Sequence, residues 1–349
     1  MVILYIFLAV LAFGVLVLVH ECGHFFAARA MGVTVREFSI GMGPMLLSYT
    51  SKKTGTVYKI CMLPIGGYVS MLGEEEESDD PSALCRKKPW QRLIIMAAGG
   101  IVNILVGALL TFALVAAMPS IRASCEVGPF ATSDVTGFTY SSADSGLCEG
   151  DIILTIDGKR VHVGAEMDYE IMRRGIRPIT LTVLRDGKEI TLPNVVFPTY
   201  EESGQLLGGR DFYLRADKAP LPILRHTFYR SVMTVRMVWE SLFDLITGRF
   251  GVDAVSGPVG VASAMTTAAE SGFSNFIYLV AVISLNLGVV NLFPLPALDG
   301  GHIVFVLFEM ISRKKVPERI ENAIHSVGLM LLLGLMLLVT GKDIVTLFK

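Results

Sequence analysis

The chain has 349 residues and a formal net charge of -2; 52% of its residues are hydrophobic and only 18% are charged. The mean hydropathy of +0.57 is too high for an ordinary soluble protein and indicates several membrane spans. The chain has no excess of basic residues, so it is not expected to bind nucleic acid. The lipid bilayer is its expected partner. The five cysteines form no CxxC pattern, and Cys125 and Cys148 fit either a disulfide in an oxidising compartment or two free thiols.

The first predicted element is an uncharged apolar run, Val2 to Val19, that leads into the motif His20-Glu-Cys-Gly-His24. A helix places His20 and His24 on one face, where both imidazoles can bind one zinc ion. Glu21 then suits the general base of a metalloprotease. The run is long enough to cross a bilayer, and ionisable residues at that depth are functional candidates. A signal peptide is the alternative, but it would need a basic n-region and a small-residue cleavage site.

A polar, glycine-rich segment follows at residues 36–92. Its pattern predicts short strand pieces within 38–49, a turn at 52–56 and a returning strand at 57–63. Residues 64–68 are predicted to close a loop. A β-hairpin beside an active site offers an edge to an extended peptide.

The second predicted span, Leu93 to Met118, contains no charged residue. Gly99, Gly100 and Gly107 allow another helix to approach closely, and Asn103 can form a hydrogen bond across the helix interface. Helix packing is therefore the favoured interpretation of Asn103.

Residues 121–200 are predicted to form a small soluble α+β domain. It contains a helix at Ala165 to Met172 and a hairpin with an Asp186-Gly187 turn. The segment Ser145 to Gly158 resembles a PDZ domain of the type found in bacterial proteases, in which the Gly-Leu segment helps to form a peptide-binding groove.

Residues 201–271 are predicted to be a linker and an amphipathic helix. The apolar positions of Leu221 to Phe250 alternate with charged ones, so this helix is expected to lie on the membrane surface rather than to span it. Gly257-Pro-Val-Gly260 is predicted to be a turn.

The last region, 272–349, holds the third and fourth predicted spans, at Phe273 to Leu298 and at about Ala323 to Gly341. Pro294 and Pro296 exclude a regular helix at the end of the third span. Irregular backbone at membrane depth is tolerated only where it lines a cavity or is buried in protein, which predicts a cavity here.

A catalytic zinc takes three protein ligands and leaves a fourth position for water, so the two histidines need a partner. Asp299 at the end of the third span is the best candidate, and an Asp in a turn before Gly300-Gly301 is the alternative. His302 is a rival ligand that suits the interface better. His162 and His226 fall in soluble and surface segments and are not expected to bind zinc.

Basic side chains indicate an orientation. The loops between spans one and two and between spans three and four contain Lys52, Lys53, Lys59, Arg86, Lys87, Lys88, Arg92, Arg313, Lys314, Lys315 and Arg319. By the positive-inside rule both loops are cytoplasmic. The PDZ-like domain and both termini are then expected on the outer side, and the HExxH motif and Asp299 toward the cytoplasm.

Three motifs, in order and each on a predicted span, resemble the site-2 protease family of intramembrane zinc metalloproteases. They are His20–His24, Gly99–Asn103 and Asn291–Gly300, and the segments 64–68 and 257–260 also match. The resemblance covers essentially the whole chain. It implies the zinc ligands His20, His24 and Asp299, the general base Glu21, and the substrate-binding residues Asn291, Gly66 and Gly67.

The resemblance also implies a bacterial inner-membrane protein that cuts single-span membrane proteins, such as an anti-sigma factor or remnant signal peptides. Some members carry two PDZ domains in tandem, whereas this chain has room for one. Two other classes stay open: a non-proteolytic PDZ-containing membrane adaptor with a structural zinc, and a transporter. A structural zinc would need four protein ligands, and no inverted repeat is visible.

The predicted fold is a polytopic α-helical membrane protein with about four transmembrane helices, a membrane-associated β-hairpin region and an inserted α+β PDZ-like domain. The predicted boundaries are 1–35 (first transmembrane helix with HExxH), 36–92 (β-hairpin region), 93–120 (second transmembrane helix), 121–200 (PDZ-like domain), 201–271 (linker and amphipathic helix) and 272–349 (third and fourth transmembrane helices).

Overall fold

The computed structural model describes residues 2–74, 76, 78–131, 141–202, 205–248 and 257–347. The helices are α1 (Val2–Ala30), α2 (Pro89–Ala117), α3 (Ser141–Asp144), α4 (Gly164–Arg174), α5 (Pro222–Ile246), α6 (Pro258–Glu270), α7 (Phe273–Asn291), α8 (Asp299–Ser312) and α9 (Glu318–Leu347). The strands are β1 (Val35–Thr50), β2 (Val57–Met71), β3 (Ala123–Phe130), β4 (Ile152–Ile156), β5 (Lys159–Arg160), β6 (Ile179–Arg185), β7 (Lys188–Val195), β8 (Thr199–Glu202), β9 (Gln205–Gly208) and β10 (Phe212–Ala216). Two compact units result: the helical unit, residues 1–110 and 234–349, and the sheet unit, residues 111–233.

Four helices among the described residues are long and apolar enough to cross a bilayer. They are Leu4–Ala30, Pro89–Ala117, Phe273–Asn291 and Arg319–Asp343. The prediction of about four transmembrane helices in a polytopic protein is thereby confirmed. Only 6% of the apolar window of the last helix is buried within the protein. Its leucine and methionine side chains therefore face outward, where lipid tails match them in polarity.

Helix α2 packs closely against α1 and α7 through glycines. A Cβ added to Gly23 would lie 2.6 Å from the carbonyl oxygen of Ala98, and one added to Gly288 would lie 2.5 Å from that of Gly100. Side chains at these positions would push the helices apart, so small residues set the helix spacing. As a result, α2 lies directly against the helix of the HExxH motif and against the helix that precedes Asp299.

Strands β1 and β2 are longer than the short pieces predicted at 38–49, and they pair antiparallel from Val35 with Met71 to Thr50 with Val57. The hairpin also folds back on itself, because residues 37–40 pair with residues 57–60 as well. The loop predicted at 64–68 is wrong, because these residues belong to β2, which continues to Met71. Repeated register shifts along β1 and a φ of 81° at Gly66 accommodate the proline and glycines of this stretch. Bulges of this kind admit residues that a regular ladder excludes.

The far part of the hairpin exposes an apolar surface. Its exposed large side chains are Ile40, Met42, Met45, Leu46, Leu47, Tyr49, Ile60, Met62 and Leu63. The near end packs on α1 instead, where the ring of Phe38 lies 5.0 Å from the ring of Phe25. An exposed apolar patch is typical of contact with a membrane or a binding partner.

The sheet unit is built on an antiparallel sheet with the strand order β10-β3-β4-β6-β7, and β5 pairs with β4. Its buried core includes Val127, Ile153, Met167 and Leu181. The short helix predicted at Ala165 to Met172 corresponds to α4. The predicted Asp-Gly turn joins β6 to β7, and both of its residues have positive φ, as the type I′ hairpin turn requires.

Strand β10 belongs to this sheet, although the predicted boundaries left it in the linker at 201–271. Phe212 pairs with Phe130 and Leu214 with Val127. The apolar residues Phe212, Leu214 and Ala216 alternate in β10, but Tyr213 between them is also apolar in part, so the pattern is weak. The predicted domain end at residue 200 would therefore separate β10 from the sheet to which it is hydrogen-bonded.

Cys125 and Cys148 are both free thiols in the structure, in agreement with the second of the two alternatives for this pair. Cys125 is 5% exposed in the core of the sheet unit. Burial raises the pKa of its thiol to about 12, so it stays protonated and unreactive. Cys148 is exposed.

The turn predicted at Gly257-Pro-Val-Gly260 is wrong, because these residues begin α6. Pro258 occupies the first helical position, where its missing N–H costs nothing. Oδ2 of Asp343 in α9 accepts hydrogen bonds from the backbone nitrogens of Gly257 at 2.9 Å and Gly260 at 2.8 Å. The carboxylate thus satisfies two amides at the helix start and complements its dipole.

We expect Asp343→Ala to destabilise the helical unit by about 1–3 kcal/mol, because two amides lose their acceptor in a buried position. Asp343→Asn keeps one acceptor oxygen and should give an intermediate loss. Thermal unfolding in detergent measures the effect. Leu338→Ala is the control, since Leu338 is 73% exposed on the same helix. A melting temperature for Asp343→Ala equal to that of the control would contradict this role.

Candidate metal centre

His20 and His24 lie on one face of α1, and they are 8% and 7% exposed. The segment is helical because it is rich in alanine, leucine and phenylalanine and contains no proline. A spacing of four residues then brings the two rings together on one face of the helix. The Nε2 atoms are 3.1 Å apart. Two imidazole nitrogens therefore meet at one point on the helix surface.

The predicted third span runs to Leu298, and its helix ends at Asn291, where the prolines predict that a regular helix cannot continue. Pro294 and Pro296 remove backbone donors and clash with the preceding turn, so α7 cannot continue. The chain then starts a new helix, α8, at Asp299. Sequence analysis did not predict this helix, because its apolar residues follow a segment that the prolines mark as irregular.

The loop between α7 and α8 brings Asp299 to the two histidines. Its Oδ2 lies 3.1 Å from Nε2 of His20 and 3.2 Å from Nε2 of His24. A Cβ added to Gly300 would collide with the carbonyl oxygen of Phe293. Only glycine after Asp299 allows the loop to close in this way, so Gly300 helps to fix the position of the carboxylate.

The three donor atoms fit a zinc ion by their separations and by their chemistry. A tetrahedral zinc with nitrogen or oxygen ligands at about 2.0–2.1 Å has its ligands about 3.4 Å from one another. The observed separations of 3.1 to 3.2 Å are close to this value. Oδ2 of Asp299 is buried and accepts no hydrogen bond from the described residues, so a cation suits its charge.

Helix α2 supports the rings from one side. A Cβ added to Gly99 would collide with Nε2 of His24 and would lie 2.6 Å from Cε1 of His20. One turn earlier, the carbonyl oxygen of Ile95 accepts a hydrogen bond from Nδ1 of His24 at 2.8 Å. This bond fixes the tautomer in which Nε2 keeps a free lone pair for a metal.

The roles of Ile95 and Gly99 at the metal centre were not predicted from the sequence. The contribution of Ile95 is made by its carbonyl, which every residue has, so no pattern can indicate it. Gly99 was included in the motif at 99–103, but a small residue in a span is equally typical of helix packing.

The remaining predicted site residues lie next to this group. A Cβ added to Gly67 in β2 would lie 3.6 Å from Cγ of Glu21, and both Gly66 and Gly67 are buried. At the end of α7, Nδ2 of Asn291 lies 3.5 Å from Nδ1 of His20. The structure therefore brings the predicted ligands, base and substrate-binding residues into one locality.

A second group of potential ligands, His302, Glu321 and His325, does not fit a metal ion as well. The rings of His302 and His325 stack with centroids 3.8 Å apart and planes 13° apart. Imidazole lone pairs lie in the ring plane, so two stacked rings cannot both direct a lone pair at one ion. Nδ1 of His325 already accepts a hydrogen bond from the backbone nitrogen of Ala297 at 3.0 Å.

His162 and His226 lie in the sheet unit and in neither donor group. His162 stacks on Tyr229 with ring centroids 4.0 Å apart. The side chain of His226 is fully buried, and its Nε2 bonds Asp217 at 2.9 Å. Burial lowers the pKa of His226 and keeps its ring neutral.

Known proteins are similar to this chain over nearly its whole length. Peptidase family M50 matches residues 8–335. A protein of Clostridium perfringens that carries the name zinc metalloprotease is 36% identical over 98% of this chain and 99% of its own length. One of the same name from Clostridium acetobutylicum is 38% identical over 97% of both chains. The regulator of sigma-W protease RasP from Bacillus subtilis is 27% identical over 97% of this chain and 98% of its own.

These matches cover both the HExxH helix and the segment that carries Asp299, so they apply to the part of the chain that brings the donor atoms together. The adaptor and transporter alternatives find no support among them. The chain belongs to peptidase family M50, the site-2 metalloproteases, and is a multi-pass membrane enzyme with zinc as its cofactor.

Proposed function

We propose that this enzyme hydrolyses peptide bonds within or near the transmembrane segments of single-span membrane proteins. The observation that carries the proposal is the convergence of His20, His24 and Asp299 beside Glu21, on helices that include a candidate membrane span. An ordinary soluble protease would not place these groups on an apolar helix of this length.

In this proposal His20, His24 and Asp299 hold the zinc ion and leave a fourth position open. When bound, zinc supplies a Lewis acid that lowers the pKa of water to about 7. The Glu21 carboxylate takes a proton from the attacking water and delivers it to the leaving amide nitrogen. Nδ1 of His24 stays bonded to the carbonyl of Ile95 and holds that ring in place.

A helical substrate hides its carbonyls in internal hydrogen bonds, so it has to unwind before it is cut. The β1–β2 hairpin has unpaired outer edges, and it can receive the unwound segment as an added strand. Its apolar side chains suit the bilayer, and Gly67 brings β2 close to Glu21. We assign Gly66, the preceding residue, to substrate binding together with Gly67. We assign the amide of Asn291 to the substrate backbone.

We propose that the sheet unit contains one PDZ-like domain, which begins near residue 121 and is completed by β10. Its antiparallel sheet, its helix α4 and the buried Leu147 of the Gly-Leu segment support this assignment. The domain would filter substrates by size or tether them by strand addition.

The sigma-W regulator among the relatives favours a membrane-bound anti-sigma factor as one substrate class, with remnant signal peptides as another. We place the enzyme in the bacterial inner membrane, with the metal centre toward the cytoplasm and the PDZ-like domain on the outer side. The basic residues of the two loops support this orientation by the positive-inside rule.

The decisive variant is Glu21→Gln, which keeps the three ligands but removes the base. We expect zinc content equal to wild type and at least about 100-fold slower cleavage. Metal analysis of the purified protein and mass spectrometry of membrane peptides from cells that express either form provide the two measurements. Full activity in Glu21→Gln would rule out the base. Zinc-loaded wild type that generates no peptide ending inside a span would rule out the protease.

Gly99→Ala tests the position of the ion. The added methyl group collides with the ring nitrogen of His24, so we expect loss of both zinc and activity. Gly334→Ala is the matched control, because a Cβ at Gly334 meets nothing within 4 Å. Zinc content of the two purified variants is the measurement, and normal zinc in Gly99→Ala would place the ion elsewhere.

Cysteine labelling tests the orientation. A membrane-impermeant maleimide should label the exposed Cys148 in intact spheroplasts and leave the buried Cys125 unmodified. Cys148→Ser should lose the label. Labelling of Cys148 only after the spheroplasts are lysed would reverse the proposed orientation.

A further inference from the structure

The second nitrogen of His20 has a requirement of its own. An imidazole that binds a metal through Nε2 carries a proton on Nδ1 and needs an acceptor there, which fixes the ring orientation. For His24 this acceptor is the carbonyl oxygen of Ile95. His20 needs a separate acceptor on the other side of its ring.

Two amide side chains lie at this nitrogen. Nδ2 of Asn103 and Nδ2 of Asn291 are each 3.5 Å from Nδ1 of His20. An amide nitrogen donates, so it does not bond a protonated Nδ1. A rotation of 180° about the last side-chain torsion exchanges the oxygen and the nitrogen of an amide within the same outline.

The two asparagines differ in their surroundings. Asn103 is 0% exposed, and its Oδ1 has no hydrogen-bond partner among the described residues. Asn291 is partly exposed at the end of α7. A buried carbonyl oxygen without a hydrogen-bond donor is rare in folded proteins. A partly exposed amide, in contrast, is accessible to a ligand and can form its hydrogen bonds with it.

We propose that Asn103 is a positioning residue of the metal centre, whose Oδ1 accepts a hydrogen bond from Nδ1–H of His20. This inference rests on the zinc ligands of the proposed function. One rotation of the amide gives both His20 Nδ1 and Asn103 Oδ1 the partner that each lacks. It also leaves the amide of Asn291 available to the substrate.

Helix α2 itself sets the position of the Asn103 side chain, and a separate hydrogen bond joins the main chain of Asn103 to α7. The hydroxyl of Ser284 in α7 donates to the carbonyl oxygen of Asn103 at 2.8 Å. Asn103 also follows Ile95 and Gly99 at intervals of four residues, so all three lie along one stripe of the helix. One helix face thus supports both rings.

The test is the zinc affinity of the full chain purified in detergent, measured by competition with a chromogenic chelator. We expect Asn103→Leu to bind zinc about 10–100-fold more weakly than wild type, as for other partners of metal-bound histidines. Asn103→Asp keeps an acceptor oxygen and should recover most of the affinity. The visible spectrum of the Co²⁺ form should change in Asn103→Leu and be restored in Asn103→Asp.

Two controls separate this role from helix packing. Ser284→Ala removes the α2–α7 hydrogen bond, so it should lower the melting temperature of the metal-free protein and leave zinc affinity unchanged. Asn291→Leu should also bind zinc as wild type does. Asn103→Ala repeats the test with a smaller side chain if the leucine variant does not fold.

Zinc affinity in folded Asn103→Leu or Asn103→Ala equal to wild type would overturn the inference, as would a loss confined to Asn291→Leu. Wild-type protein that binds no zinc would instead overturn the ligand assignment itself. Because zinc affinity is measured without any substrate, failure of the proposed proteolysis is a separate result.

Discussion

The contact between the Asp299 carboxylate and the two imidazoles of α1 is the interaction on which the rest of the helical unit depends. These donors come from opposite ends of the sequence, and they are largely buried polar groups that need partners. They can be accommodated only if they share a partner and if the surrounding helices hold them together. Three features contribute to this arrangement: the close glycine contacts of α2, the end of helix α7, and the absence of a side chain at Gly300.

The hairpin matters because it joins the metal centre to the membrane. Its buried end packs on α1 near Glu21, and its far end exposes apolar side chains. A soluble enzyme would need to cover that surface, whereas lipid or an unwound transmembrane segment can cover it here. Under the proposed function, the same element brings the scissile peptide and the general base together.

Sequence patterns predicted the four spans well, since a long uncharged helix is uncommon outside a bilayer. The continuous strand β2 was less accessible, because Pro64 and Gly66 are turn formers locally, whereas the pairing of Leu63 and Gly67 with β1 continues the strand on both sides of them. Helix α8 was missed for a related reason: the prolines before Asp299 indicate where a helix ends but not where the next one begins. Strand β10 was missed because Tyr213 interrupts its alternation of apolar and polar residues.

Within the metal centre, residue type decided what could be predicted. His20, His24 and Glu21 have a spacing with chemical meaning, and Asp299 is the carboxylate at the end of an uncharged span. Asn103 was assigned to packing, and the structure places it against His20 as well. Every residue has a main-chain carbonyl, so a role such as that of the Ile95 carbonyl cannot be predicted from residue type and is visible only in the structure.

The carbonyl of Ile95 has two tasks, because in an α-helix it also accepts the amide hydrogen of residue 99. Opening this one turn of α2 would free the imidazole of His24 at the same time, so both hydrogen bonds would be lost together. The lifetime of the metal centre is thereby tied to the lifetime of a single helical turn. Alanine scanning would not detect this dependence, since every side chain at position 95 leaves the oxygen in place.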